Sequence, residues 1–152
     1  MASNVLLTKG SKLYRKNPTT SVYEEVIQCL TLAWPSTVQE WIDITNHSSS
    51  GGYKEYAPGL KDVATFDAEI FWNPRSIAMH GTIYDDAVAE PPILRSWGII
   101  LPNALDGVGF SAFLSSPKSE LGSNPAAAVK MSFTMRVSGA PTRVTTGTAG
   151  LP

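Results

Sequence analysis

The residues of this chain whose types could do acid–base, nucleophilic or metal chemistry are few: two histidines, one cysteine and some neighbouring carboxylates. His47 stands beside Ser48, Ser49 and Ser50. A hydrolytic centre needs nucleophile and base in hydrogen-bond reach, with a third group orienting the base. Sequence neighbours rarely meet that geometry, so His47 reads as a loop residue. His80 falls on a helical stripe and reads as a core-edge or surface histidine. Asp85-Asp86 has no third ligand spaced nearby and reads as a solvated pair near a helix end. Asp67 and Glu69 share one face of a strand, where solvated or interface carboxylates are expected. Gly51-Gly52 is not followed by Lys-Ser/Thr at phosphate-loop spacing. Cys29 is alone, which excludes an intrachain disulfide and a cysteine metal cluster, and it reads as a small buried hydrophobe. No catalytic, cofactor-binding or metal-ligating set is expected. The pattern points to a structural or binding protein.

Something must position these groups, and 152 residues suffice for one domain. At this size roughly 70% of the unfolded surface can be buried, so the core needs no covalent staple. The net charge of −1 argues against a strongly basic nucleic-acid face. Residues 1–10 contain no apolar signal core, and no apolar run approaches the ~20 residues of a membrane span. A soluble protein made in a cytoplasm is expected.

The elements follow from periodicity and punctuation. Residues 1–18 read as an N-terminal arm that includes a short strand near 11–15 and a turn at Asn17-Pro18. Residues 21–32 and 37–45 read as strands. In the second, Val38, Ile42 and Ile44 share one parity and Trp41 the other. Residues 63–72 alternate, with Phe66, Ala68, Ile70 and Trp72 opposite Thr65, Asp67, Glu69 and Phe71. Asn73-Pro74 then opens a helix over 74–88, Asn as cap and Pro at the first helical position. Strands are predicted over 93–101, 108–114 and 126–137, with a polar loop over 115–124. In the last strand Val129, Met131, Phe133, Met135 and Val137 face the core. Residues 138–152 read as a flexible tail. The sum is a mainly β fold: a rolled antiparallel β-sandwich or barrel with one flanking α-helix and a long inter-strand loop.

That loop, residues 45–62, is the most distinctive segment. Loops of such length inside a compact domain are usually functional or disordered. This one carries Tyr53, Tyr56 and Leu60, large groups that a solvated linker does not need, and Pro58-Gly59 suits a type II turn. Ser48 to Gly52 leave it mobile on its own, while the tyrosines are of the kind enriched at interfaces.

Asp43-Ile44-Thr45-Asn46-His47, followed by Gly51-Gly52-Tyr53-Lys54-Glu55-Tyr56-Ala57-Pro58-Gly59-Leu60-Lys61-Asp62, resembles the long loop of bacteriophage major tail tube proteins of long-tailed (siphovirus-type) phages. Residues 31–35, 37–45, 63–72, Asn73-Pro74 and 126–137 occur in the order seen in that family. The opening Thr8-Lys9-Gly10-Ser11-Lys12-Leu13 is also similar. The resemblance covers nearly the whole chain, 1–152, as a single tail tube domain; residues 104–125 depart from it. It implies a virion protein of the tail, made in the host cytoplasm, whose copies form hexameric rings and stack into a hollow tube. It implies inter-ring contacts by Gly51, Gly52, Tyr53, Tyr56, Pro58, Gly59 and Leu60, and makes Asp67 and Glu69 candidates for the lumen face. The implied partners are other copies of itself, a tape-measure protein, and tail terminator and tip proteins. DNA would pass in transit without specific binding, and no membrane or cofactor is implied. Two other classes stay open. A non-catalytic binding module for carbohydrate or protein would use Trp34, Trp41, Trp72 and Trp97. A secretion-system tube subunit would share the fold.

Overall fold

The computed structural model describes residues 5–121 and 125–152. The first four residues of the expected arm, and residues 122–124 of the expected polar loop, lie outside the described residues. Nine strands are formed among the described residues: β1 (Lys12–Lys16), β2 (Tyr23–Glu25), β3 (Cys29–Thr31), β4 (Thr37–Asp43), β5 (Tyr56–Val63), β6 (Phe66–Phe71), β7 (Leu94–Ile100), β8 (Gly107–Glu120) and β9 (Lys130–Val144). One α-helix, α1 (Ala78–Val88), lies between β6 and β7 among the described residues. Seven strands make one sheet in the order β2-β1-β7-β8-β9-β6-β3, while β4 and β5 pair only with each other. Every ladder is antiparallel. This is the rolled, mainly β fold with one helix that the periodicity predicts.

The roll follows from connectivity. Laid flat, six strand spacings of ~4.8 Å would separate the edge strands β2 and β3 by about 29 Å. Yet Glu25 ends β2 and Cys29 begins β3. Four peptide steps span at most about 14 Å. The sheet must curl until its edges nearly meet. The linking residues bond to both sides of the seam: the Val26 N–H donates to the Leu13 carbonyl at 2.8 Å, and the Phe71 N–H donates to the Gln28 carbonyl at 3.0 Å. The predicted single strand over 21–32 is therefore two short strands. Gln28, at φ 64°, turns the chain between them.

Inside the roll lie Leu13, Ala68, Ile70, Trp97, Ile99, Val108, Phe110, Ala112, Leu114, Met131, Phe133, Met135 and Val137, with Ile83 of α1. Phe66 meets Phe110 edge to face at 5.8 Å, and Trp97 lies 6.4 Å from Phe133. Full burial of one such side chain is worth about 1.5–3 kcal/mol. The core thus dominates stability, and the alternation in β6 and β9 identifies it correctly from Phe66 to Val137.

Helix α1 is held by two buried polar anchors rather than by capping. Asn73-Pro74 does not begin the helix. Asn73 Oδ1 accepts from the Ser76 N–H at 3.2 Å and its carbonyl accepts from the Ile77 N–H at 3.0 Å, so a turn precedes a helix that starts at Ala78. His80 is fully buried. Its Nδ1 accepts from the Asn73 N–H at 3.0 Å, so its Nε2 carries the proton and donates to the Ile27 carbonyl, also at 3.0 Å. The histidine expected at a core edge thereby clamps the seam. Asp86 corrects the solvated reading of Asp85-Asp86: only Asp85 is exposed. Asp86 accepts from Arg15 Nη2 of β1 at 2.5 Å, and from Arg95 Nε and Nη2 of β7 at 3.2 and 3.3 Å. Two guanidiniums converge on this one carboxylate from the paired neighbours β1 and β7.

Two segments that read as irregular, the loop after residue 114 and the tail after residue 137, are largely regular structure. β8 continues through the expected polar loop as far as Glu120. β9 continues through Arg136 to Val144, well into the expected flexible tail. The tail ends in a 3-10 turn, Gly147–Gly150, and then crosses the outer face of the sheet. The Pro152 carbonyl accepts from the Tyr23 hydroxyl at 2.6 Å. Gly98 makes room for this crossing, since a Cβ there would lie 2.6 Å from a Leu151 methyl. Serine, threonine and glycine at these positions hid the strands because an outer face needs no apolar period.

Asp86→Ala would leave two arginines facing each other in a buried site. Removal of one partner from a buried charge cluster costs about 3–5 kcal/mol. Urea unfolding should show a lower midpoint at unchanged slope, by an amount in that range.

Candidate assembly surface

The expected loop over 45–62 is a projecting hairpin. β4 and β5 form its arms, and residues 44–55 its tip. β5 begins at Tyr56, so the second half of the expected loop is strand. The expected turn at Pro58-Gly59 is absent: Pro58 pairs with Trp41 within the ladder. This is sterically possible because β5 has a neighbour on one side only, where a missing N–H costs nothing. At the tip, Gly51 and Gly52 lie in a 3-10 turn, Ser50–Gly52, with Tyr53 just beyond. Local hydrogen bonds stitch this tip. The Thr45 N–H donates to Asp43 Oδ1 at 2.9 Å, the Glu55 N–H to Thr45 Oγ1 at 2.8 Å, and Ser49 Oγ to Glu55 Oε2 at 2.8 Å.

The ladder places the large side chains. Lys61 opposes Gln39 while Pro58 opposes Trp41, so Gly59 and Leu60 together stand opposite Glu40 alone. This bulge shifts parity by one. The extra residue lies in β5, so β4 keeps its parity: Trp41 shares a face with Pro58 and Tyr56, while Val38 and Ile42 stand on the other face, as the alternation predicts. Exposures are 63% for Trp41 and 52% for Tyr56 on the first face, 54% for Val38 and 49% for Ile42 on the second, and 83% for Leu60 in the bulge. A two-stranded hairpin with no core of its own is at best marginally stable in water. Here it carries exposed apolar groups on both faces. Exposed apolar groups grouped in this way mark interaction sites.

The hairpin is tied to the sheet at its base. The Ala64 N–H donates to the Ser36 carbonyl at 2.9 Å. Arg136 Nη2 of β9 lies 3.0 Å from Asp62 Oδ2. The Asp62 carboxyl is held below the usual carboxylate range first by the Val63 backbone N–H and then by Arg136. A depressed carboxylate keeps its charge, and this tether, at ordinary pH, and loses them only as pH falls below that range.

Asp67 and Glu69 stand on the outer face of β6, as their parity predicts. Asp67 Oδ1 accepts from Thr134 Oγ1 at 2.7 Å, and Glu69 lies 4.0 Å from Lys130 Nζ. With Arg136 also on β9, the outer face of this strand pair balances two acids against two bases. Cys29 is half-buried, and burial pushes its thiol up to about 11, which leaves it protonated and unreactive at neutral pH. Of the four tryptophans, Trp97 is in the core and Trp72 packs against Tyr84 at 6.0 Å. An aromatic platform built from all four therefore does not exist. Among the described residues, no group of three or more His, Cys, Asp or Glu could hold a metal ion.

Sequence reasoning found Tyr56, Pro58 and Leu60 but missed Trp41 as the companion of Tyr56 and Pro58. The signal was present in the exposed-type pairing of Trp41 with Pro58, yet it depended on a bulge that no residue at position 40 announces.

No protein-family model matches the chain, and no curated protein does. Solved structures do. A chain of the anti-feeding prophage baseplate, 6-fold symmetrised, is similar at a TM-score of 0.74 and 9% identity, covering 93% of this chain and 97% of that one. A chain from the tail of an empty GTA particle, refined with C6 symmetry, is similar at 0.68 and 15% identity, covering 91% and 98%. The SPP1 tail tube is similar at 0.68 and 14% identity, covering 94% and 81%. The chain has the tail-tube fold.

Because Trp41 rests on no core residue, Trp41→Ala should leave the fold intact. The expected change in stability is within about 0.5 kcal/mol, as for surface substitutions generally, against the several kcal/mol expected of a core tryptophan such as Trp97. Thermal melts of the two variants test the contrast.

Proposed function

We propose that the chain is a structural subunit of the tail tube of a long-tailed phage or phage-like particle, and not an enzyme. The observation that carries this reading is the hairpin over residues 37–63, a second sheet whose apolar groups its own domain leaves exposed on both faces. Such groups are satisfied by another copy. In the proposed assembly six copies close into a ring, rings stack, and the hairpin contacts a neighbouring ring through Tyr53, Tyr56, Pro58 and Leu60, with Gly51 and Gly52 shaping the tip. The sixfold symmetry of two of the similar structures supports the ring. The whole of 1–152 acts as one tube domain, with the arm before β1 and the tail after β9 adding contacts. The partners in this reading are other copies, a tape-measure protein inside, and terminator and tip proteins at the ends. The site of action is the tail of the virion.

Dilute protein should be small, and concentrated or nucleated protein should form long tubes in negative stain. Tyr56→Ala should keep the parent's melting temperature and suppress tubes. Truncating a buried interface anchor typically costs more than about 1 kcal/mol, and the loss recurs at every subunit. A variant that forms tubes as readily as the parent would refute the hairpin contact.

The outer face of β6 and β9 is proposed to line the lumen. A genome that must slide needs a wall without a strong phosphate trap, since each net basic contact adds a salt-dependent hold. The mutual balance of Asp67 and Glu69 with Lys130 and Arg136 suits this. Asp67→Lys with Glu69→Lys should yield tubes that retain duplex DNA at low salt and release it as salt rises. Retention that does not depend on salt, or none at all, argues for a different lumen face.

A second reading, a tube subunit of an injection or secretion system, is favoured by the likeness to the anti-feeding prophage baseplate chain. Electron microscopy of the native particle separates the two. A contractile sheath around the tube supports the second, and a bare flexible tail the first.

A further inference from the structure

The chain holds two histidines, and imidazole is the side chain that ordinarily changes its charge between about pH 5 and 8. His47 is exposed at the hairpin tip, while His80 is fully buried. Both ring nitrogens of His80 are committed to backbone groups from distant parts of the chain. Nδ1 accepts from the Asn73 N–H, and Nε2 donates to the Ile27 carbonyl. This pattern belongs to the neutral ring alone. An imidazolium carries a hydrogen on each nitrogen and accepts nothing. With a proton at Nδ1, two N–H groups would face each other across what is now a 3.0 Å hydrogen bond.

Among the described residues no carboxylate is hydrogen-bonded to the ring to offset that loss. On the segments packed round it, Glu25 of β2 pairs with Lys12, Glu69 of β6 with Lys130, and Asp86 of α1 with Arg15 and Arg95. Arg75 of the turn before α1, Asp85 of α1 and Lys118 of β8 are exposed. The Cys29 thiol of β3, pushed up to about 11 by burial, stays neutral in this range. The clamp also closes the thinnest joint of the wall. β3 meets β6 at Cys29↔Ile70 and Thr31↔Glu69 alone, with an irregular register between them. The β8–β9 ladder, in contrast, runs from Gly107 to Glu120.

We propose that His80 is an acid-released latch on the roll. A proton taken from water at Nδ1 breaks the bond to Asn73, frees the Ile27 carbonyl from the turn and opens the β2–β3 seam, while the β7–β8–β9 ribbon stays paired. The direction follows from the committed lone pair. The closed seam favours the neutral ring, so the opened seam binds the additional proton, and acid shifts the balance towards opening. The latch is a property of the single chain and does not rest on the tube reading.

The test is His80→Gln in the full chain. Glutamine can accept from the Asn73 N–H through Oε1 and donate to the Ile27 carbonyl through Nε2, yet it takes up no proton. Urea unfolding of parent and variant, from about pH 7.5 to about pH 5, gives the ratio of their unfolding constants across the span in which imidazole titrates. That ratio cancels His47 and the carboxylates, which both proteins share. It should rise towards about tenfold for each pH unit below ~6.5, where a solvated imidazole takes its proton. A ratio that stays flat overturns the proposal. In heteronuclear NMR spectra of the parent, the Asn73, Ile27 and Gln28 amides should shift at the pH where the His80 ring nitrogens report imidazolium, with residues 108–114 and 131–137 unmoved. A ring that gains its charge while the Asn73 amide stays in place overturns the latch, and so does a ribbon that moves together with the seam. The spectra need only the parent, so they decide the question where His80→Gln does not fold.

Discussion

Residues 26–28 have to join the two edges of a seven-stranded sheet, and the shortness of that link governs the rest of the molecule. It forces the roll, and the roll creates an inside. The link is also the weakest part of the wall, because β2 and β3 contribute only a few ladder bonds each. His80 compensates by tying the Ile27 carbonyl to the turn that leaves β6. Asp86 performs the matching task at the other end of α1, through Arg15 and Arg95. The helix therefore works as a brace across a curved sheet. Its sequence reflects that role: its buried residues are one isoleucine and two polar side chains, each satisfied by a partner on the sheet.

Closing the roll uses up the apolar side chains that alternate cleanly. β4 and β5 fall outside it, since the chain leaves the seam at β3, runs out as a hairpin and returns to β6. That excursion receives apolar residues without receiving a core. The polar outer face of β6 and β9 has the opposite character: Glu69 pairs with Lys130 inside the strand pair, while Arg136 reaches out to Asp62 of β5. A face whose charged groups are partnered and an arm that holds no interior are complementary properties of one chain.

The rolled β architecture, the single helix and the core face of β6 and β9 were legible because buried strands display a period of two. What escaped were features set by distant partners. Asp86 reads like Asp85 until two arginines from β1 and β7 arrive. The strands at residues 114–120 and 138–144 carry serine, glycine and proline, since their outer faces impose no apolar pattern. Tyr56 to Val63 looked like loop because Pro58 and Gly59 signal a turn wherever an edge is not foreseen. Trp41 keeps its expected face, but its grouping with Tyr56 and Pro58 escaped because one bulged residue in β5 inverts every parity beyond it. The aromatic loop residues were found by type, while their grouping needed the ladder.

The separation of the hairpin from the core bears on how such chains diverge. Substitutions at the exposed positions Val38, Trp41, Tyr56 and Leu60 carry little folding penalty, so they are free to follow a changing partner surface. Substitutions inside the roll must preserve volume but not identity, because any well-packed set of branched and aromatic side chains fills the same curved wall. The two halves of the molecule can then drift under separate selection. A fold built in this way tolerates wide change of sequence without change of shape, and this chain is similar in form to another at a TM-score of 0.74 with 9% identity.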